Sequence, residues 1–343
     1  MPSRATKPQP PAQAEPPQCL ARRGFLSKSL AASIAAPFVL SLEEKALLAQ
    51  EKTPASAATP AGGPGKVPLG AIGKVKISRL ICGGNLISGY AHSRDLIYLS
   101  SFLKTYFTEA KIMETWAICE QHGINTMIGY PADARAIAIY RRYTAQGGRI
   151  QYLAQIGPEK EDLKTPVKQS VDSGAVGAFL LGNLGDQWAR EGAVGRIGQL
   201  VSLIKEQGLI AGVAGHEVRT PMAVEQAGVE PDFYLKTLHS TNYWSHRRPG
   251  QDKEVIDNYA IDNYWCMNPE ETIAYMRSVK RAWIAYKVLA AGAIHPREGF
   301  RHAFENGADF AAVGMFDFQV AEDAAIASEI LSGRLNRRRP WLG

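Results

Sequence analysis

Residues 195–214 read GRIGQLVSLIKEQGLIAGVA and change periodicity part-way along. Through the first part Ile197, Leu200, Val201 and Ile204 recur at the spacing of a helix with one apolar face, and Gly208 supplies the residue that closes such a helix. Residues 209–214 are then almost wholly apolar and too short for a second helix, which marks a strand covered on both faces. A helix passing through one glycine into a doubly covered strand is half of a strand–helix repeat, and parallel strands require such crossovers.

Outward from this stretch the repeat recurs. Strands are predicted at 79–84 (RLICGG), 124–129 (INTMIG), 150–156 (IQYLAQI), 177–182 (GAFLLG), 209–214, 233–239 (FYLKTLH), 284–290 (IAYKVLA) and 309–314 (DFAAVG), with helical patterns such as TEAKIMETWAICEQHG, NPEETIAYMRSVK, PREGFRHAFENG and AEDAAIASEILSG between them. Eight pairs in roughly 260 residues describe a single-domain α/β protein, a (β/α)8 TIM barrel over 69–331. An open doubly wound sheet is the rival, but no point of strand-order reversal shows.

The flanks differ in composition. Residues 1–49 include ARRGFLSKSLAASIAAPFVLSL, where Arg22 and Arg23 precede an apolar run broken only by Lys28. This resembles a twin-arginine signal, and the resemblance implies contact with the twin-arginine export machinery. It also implies a periplasmic location, or membrane anchoring if the signal is not cleaved. Residues 50–68 are a Pro/Gly/Ala-rich linker without the apolar content to fold, and 332–343 form a basic C-terminal tail. The formal charge of +6 resides in these flanks: residues 1–66 and 331–343 each carry a net +4, which leaves the body near −2. A body without a basic face has no footprint for nucleic acid, and a small molecule is the expected partner. Four cysteines, at 19, 82, 119 and 266, show neither zinc-knuckle nor disulfide-framework spacing. Cys82 and Cys119 are expected as buried thiols, and Cys266 falls in a loop.

Chemistry in this fold gathers where strands end. Those ends supply Asn85, Tyr130, Gln155, Asn183, His216 with Glu217, His239, the 291–294 turn and Asp317 with Gln319. Two connections exceed the usual few residues, 85–107 and 240–268. The second repeats Asp-Asn-Tyr from 257 and 262 and carries Asn242, Trp244 and Trp265, a mixture of rings and amides suited to a sugar-like ligand. Substrate-binding candidates are therefore Asn85, Tyr130, Gln155, Asn183, Asn242, Trp244, Trp265 and Asp317.

The segments VPLGAIGKVKISRLICGG (67–84) and CEQHGINTMIGY (119–130) resemble the opening of aldo/keto reductases. The resemblance implies the same barrel and, in its usual form, hydride transfer from NADPH to a carbonyl. The family's functional positions have changed. Ile128 stands where an Asp is expected, Asp133 replaces a Tyr, Gln155 a Lys and Gly182 a His. Ala214 and Gly215 replace the Ser-Asn pair that holds the nicotinamide amide, and His239 aligns with its stacking aromatic. The turns LAAGAIHP and GADFAAVG resemble the phosphate cradle that barrels build after strands seven and eight, which makes Gly292, Ala293 and Gly314 the cofactor-binding candidates for NADP.

Strand alternation puts Lys236 on one face with Tyr234 and Leu238, and Lys287 with Ala285 and Leu289. Facing inward, two lysines on neighbouring strands would depress each other's pKa and yield a Schiff-base nucleophile. LKTLH and YKVLAAGAI are similar to the corresponding segments of deoxyribose-phosphate aldolase. The alternative for each lysine is a structural ion pair. A metal reading would draw on His216, Glu217 and His239, with His92 or Asp317. Adjacent strand residues face opposite ways, however, and no metal ligand is assigned. The catalytic candidates are Lys236, His239, Lys287 and His216. The expected function is action on a small polar, sugar-derived carbonyl compound by an exported reductase-like barrel. A lysine-dependent lyase, a metal-dependent isomerase or hydrolase, and a non-catalytic binding protein are the alternatives.

Overall fold

The computed structural model describes residues 65–90, 98–159, 162–243, 246, 266 and 268–343, all within one compact unit spanning 62–343. The expected signal region, most of the expected linker, His92, the Asp-Asn-Tyr repeat, Trp244 and Trp265 lie outside the described residues.

A short hairpin opens the fold, β1 (Leu69–Ile72) pairing antiparallel with β2 (Val75–Ser78). Its two-residue turn is possible because Gly73 takes a φ of +55°. Eight strands follow: β3 (Leu80–Cys82), β4 (Thr126–Gly129), β5 (Gln151–Ile156), β6 (Gly177–Leu180), β7 (Ile210–Gly215), β8 (Phe233–Thr237), β9 (Ala282–Tyr286) and β10 (Phe310–Val313). They close as a parallel barrel in sequence order, with β10 pairing back onto β3. The helices are α1 (Leu99–Tyr106), α2 (Glu109–Gln121), α3 (Ala134–Ala145), α4 (Lys164–Asp172), α5 (Gly182–Arg190), α6 (Val194–Glu206), α7 (Arg219–Gln226), α8 (Pro269–Met276), α9 (Pro296–Glu305) and α10 (Asp317–Ser332). Helix α1 is an addition, part of the long connection after β3.

Alternation divides each strand between two cores. Ile81, Ile128, Leu153, Phe179, Phe233, Leu235, Ile284 and Phe310 fill the barrel interior, which Ile72 and Ile77 of the hairpin close from below. Met127, Tyr152, Tyr234, Trp283 and Ala285 face the helix layer, where Ile197, Leu200, Val201 and Ile204 of α6 meet them. Each fully buried Ile or Leu contributes about 1.5–3 kcal/mol.

Two expectations change. The ninth strand runs 282–286 rather than 284–290, so Lys287 lies past its end. IAYKVLA is apolar throughout, and periodicity alone cannot locate where such a run stops. The predicted basic tail is part of the barrel floor. Arg339 is 3% exposed, and both it and Arg337 bind the buried carboxylate of Asp309. Trp341 lies between the guanidinium groups of Arg79 and Arg337, at 3.9 and 3.5 Å from its ring centroid.

Candidate functional site

The parallel closure puts His216, His239 and Asp317 at the same end of the barrel, after β7, β8 and β10. Beyond that shared end their environments diverge.

His216 is held by a residue the sequence did not single out. Helix α5 starts directly after β6 and lies against the end of β7, because a Cβ on Gly185 would collide with the Ala214 carbonyl oxygen. A Cβ on Gly215 would stand 2.9 Å from Asp186 Oδ1. With both side chains missing, the wholly buried Asp186 sits beneath His216. Its carboxylate accepts from the backbone N–H groups of His216 (2.9 Å) and Glu217 (3.1 Å), from Thr220 Oγ1 (2.6 Å), and from His216 Nδ1 (2.8 Å). An acceptor at Nδ1 fixes the proton there. Nε2 therefore carries the lone pair, and it has no hydrogen-bond partner among the described residues.

Burial pushes the Asp186 carboxyl upward, but its bonds to His216 and Thr220 outweigh that and hold it below the ordinary range, so it is ionised. Burial pushes His216 down to about 4 against the pull of Asp186, and the charges of Lys287 and Lys236 push the same way. The pair at neutral pH is thus carboxylate and neutral imidazole.

Tyr286 and Lys287 complete the cluster. The Tyr286 ring lies 5.5 Å from that of His216, and Lys287 Nζ is 5.8 Å from the Tyr286 centroid. Lys287 has a φ of +59°, and Ala290 and Ala291 have +46° and +56°. Such positions cost on the order of 1–3 kcal/mol each for residues with a Cβ, and this strain collects at functional sites. Here it ends β9 and breaks the alternation that would have turned Lys287 toward the helices.

The inward lysine pair is not formed. Lys236 faces the helix layer with Tyr234 and Leu238, and its Nζ donates back to Thr237 Oγ1 (2.8 Å) and the Thr237 carbonyl (3.1 Å). No carboxylate pairs with it among the described residues. Lys236→Met is accordingly expected to change stability by no more than about 1 kcal/mol. Two hydrogen bonds are lost while the burial of a cation is relieved. Urea denaturation checks this against the loss of about 3–5 kcal/mol that a broken buried ion pair would give.

His239 is a latch. Its Nδ1 donates to the Ser240 carbonyl (2.8 Å) and its Nε2 accepts from the Cys266 N–H (2.6 Å), which ties together the two ends of the 240–266 connection. Protonation at Nε2 would break the contact with Cys266, and burial holds His239, like His216, near 4. In the unfolded chain both titrate near the ordinary 6.5. The stability gained from burying them neutral is present above pH 6.5 and lost as pH falls toward 4. The loss is on the order of 3 kcal/mol for each. Urea midpoints between pH 7 and 4.5 should fall steeply, and His239→Gln should flatten the slope.

The other candidates scatter around the rim. Gln155 shares the inward face of its strand with Leu153, and Tyr130 extends its hydroxyl to within 3.2 Å of the place a Cβ on Gly157 would take. Asn85 and Asn183 are half-buried at the ends of β3 and β6, and Asn242 is exposed. Asp317 is committed elsewhere, accepting from Tyr106 Oη (2.5 Å) and Lys111 Nζ (2.9 Å) as a clasp between α10 and the α1–α2 region. Glu217 pairs with Arg190. Among the described residues no three metal-ligand side chains come together.

A nicotinamide dinucleotide does not fit the residues present. The backbone N–H groups of Ala290, Gly292, Ala293 and Ile294 are consumed within their own turn. At the start of α9, Pro296 has no N–H, the Arg297 N–H donates to His295 Nδ1 (3.2 Å), and the Arg297 side chain is engaged by Glu329. Asp317 places a carboxylate in the first turn of α10, beyond Gly314. Gly292, Ala293 and Gly314 thus offer no ready phosphate cradle, and Ala214 and Gly215 have no side chain to hold an amide.

No protein-family model matches the chain, and no curated protein matches it. Among solved structures, two determinations of a "putative aldo-keto reductase" from Pseudomonas aeruginosa are 18% identical, with a TM-score of 0.53 over 78% of this chain and 98% of theirs. A protein named QR15, an aldolase, is 14% identical over 66% of this chain and 91% of its own, at a TM-score of 0.41 that carries no argument. Likeness at these identities concerns architecture alone: the chain is an eight-stranded parallel α/β barrel like that of its aldo-keto-reductase neighbours.

Proposed function

We propose that this barrel is an enzyme acting on a small polar, sugar-derived carbonyl compound by general acid–base chemistry, with His216 as the proton carrier. The observation that carries this reading is the buried Asp186–His216 pair, whose Nδ1 is bound and whose Nε2 is left with a lone pair at the barrel mouth. In the step envisaged, Nε2 takes a proton from the carbon beside the substrate carbonyl. The C–H electron pair forms the enediolate, whose oxygen faces the Lys287 ammonium, and the imidazolium returns the proton to an adjacent atom. An imidazole near 4 is a weak base on its own, but negative charge developing beside it raises its proton affinity. Gln155 and Tyr130 would bind hydroxyl groups of the substrate in this reading. The test is exchange of substrate C–H for solvent deuterium, followed by NMR across a panel of small hydroxycarbonyl compounds. Exchange lost in His216→Ala supports the reading, and exchange retained in that variant ends it.

A second reading, a lysine-dependent lyase, is favoured by the left-handed backbone of Lys287 just past the end of β9. Borohydride reduction in the presence of substrate would then attach carbon to Lys287 and not to Lys236. We also hold to export by the Arg22–Arg23 pair. Replacing both by lysine should retain the protein in the cytoplasmic fraction.

A further inference from the structure

Two of the cysteines meet between the barrel and the helix layer. Alternation along β3 turns Ile81 inward and leaves Leu80 and Cys82 facing the helices. Helix α2, in the crossover from β3 to β4, buries Cys119 on the face it shares with Ile112, Thr115 and Trp116. Both cysteines are wholly buried, and both are free thiols. The Cys119 thiol is hydrogen-bonded to the Cys82 sulfur, and Cys82 Sγ lies 3.9 Å from the Gly83 carbonyl oxygen that its own thiol can reach. Leu80, Ile124 and Met127 belong to the same apolar core, and among the described residues no third metal-ligand side chain joins the two sulfur atoms. The spacing of the cysteines along the chain gives no sign of this pairing, which the β3–α2 contact alone creates.

We infer that Cys82 and Cys119 are a disulfide-forming pair, which fastens α2 to β3 when the chain meets a disulfide donor. The donor class is a small-molecule disulfide or the disulfide of an oxidoreductase. One cysteine thiolate attacks the donor and expels a thiolate, which leaves a mixed disulfide. The second cysteine thiolate then attacks the protein sulfur of that mixed disulfide and expels the other thiolate. In all, two protein thiols lose two protons and two electrons, and the donor becomes two thiols. In the folded core the bond to Cys82 and, after it, burial hold the Cys119 thiol well above the ordinary range, so it supplies no ready nucleophile there. The bond therefore forms during folding or while α2 is lifted from the barrel, and once formed it is shielded from reductants. It closes a loop of about 37 residues, which stabilises the fold by restricting the unfolded chain. It also fixes β3 just before Gly83, Gly84 and Asn85, the run that leads to the rim. None of this depends on the acid–base reading. Export would supply an oxidising compartment, but the test does not need it.

Full-length protein is unfolded in urea with dithiothreitol and refolded in a mixture of reduced and oxidised glutathione. A second sample is kept native with oxidised glutathione, in urea below the unfolding midpoint. Peptides are mapped by mass spectrometry without reduction. The expected result is a Cys82–Cys119 linked peptide pair, complete after refolding and slower to appear in the native sample. The oxidised protein should melt about 5 °C higher than protein refolded with dithiothreitol throughout. Cys82→Ala and Cys119→Ala should each abolish both the link and the shift. Cys82 and Cys119 left unlinked after refolding, or paired with Cys19, Cys266 or glutathione, overturn the inference. If the chain does not refold, the native sample decides by the same criterion. A linked pair that leaves the melting temperature unchanged would overturn the fastening of α2.

Discussion

Asp309→Ala is expected to destabilise the protein by about 3–5 kcal/mol, the range for stripping a partner from buried opposite charges. The Asp309 carboxylate is fully buried; Oδ1 accepts from Arg337 Nη2 (2.8 Å) and the Leu342 N–H (2.9 Å), and Oδ2 from Arg339 Nη1 (2.7 Å) and the Trp283 N–H (2.9 Å). Burial brings Arg337 down to about 10 even with Asp309 beside it, so at neutral pH it remains charged and would be left without its counter-ion. The guanidinium groups keep their carbonyl acceptors, among them Gly307 and Val279, which limits the loss but does not cancel it. Urea unfolding at pH 7 measures the effect. Limited proteolysis should show residues 334–343 cleaved early in the variant and protected in the native protein. A loss below about 1 kcal/mol would mean that the desolvation of these ions had consumed nearly all they gain by pairing.

The second large effect is on activity. Asp186→Asn keeps the side-chain shape but removes the acceptor that fixes the His216 proton on Nδ1. The amide would also turn an N–H toward donors already present on His216, Glu217 and Thr220. The proton is expected to move to Nε2, leaving no lone pair at the mouth, and proton exchange from substrate should fall by about 10²–10⁴. Nitrogen shifts of the His216 ring report the change of tautomer directly. A variant that lost activity with the Nδ1–H tautomer intact would assign Asp186 to packing alone. Some stability, about 1–3 kcal/mol, should go as well, since a donor is left unsatisfied in a buried site.

Where the sequence was informative, the reason was periodicity. Residues 195–214 set helix against strand because 3.6-residue and two-residue spacings bury different faces, and the same contrast located the eight barrel strands. From there the parallel order put His216, His239 and Asp317 at one end without any knowledge of side-chain contacts. The ends of elements were less legible. The run IAYKVLA is equally apolar on either side of Tyr286, and only the backbone turn at Lys287 shows where the strand stops.

What the sequence by itself determined, then, is the barrel and the rim on which its polar residues gather, since both follow from patterns local to each repeat. Tertiary structure decided which of those residues act together. Asp186 lies 30 positions from His216 and looks like one more polar residue of a surface helix until Gly185 and Gly215 let that helix close onto β7. His239 has the chemistry of a catalyst, but its two nitrogens are taken by backbone groups on either side of a long connection. Four arginines near the C-terminus have the composition of a solvated tail, yet two of them pair with the buried Asp309. In each case the deciding fact is which distant group the fold brings within hydrogen-bond range, and a pattern of nearest neighbours along the chain does not contain it.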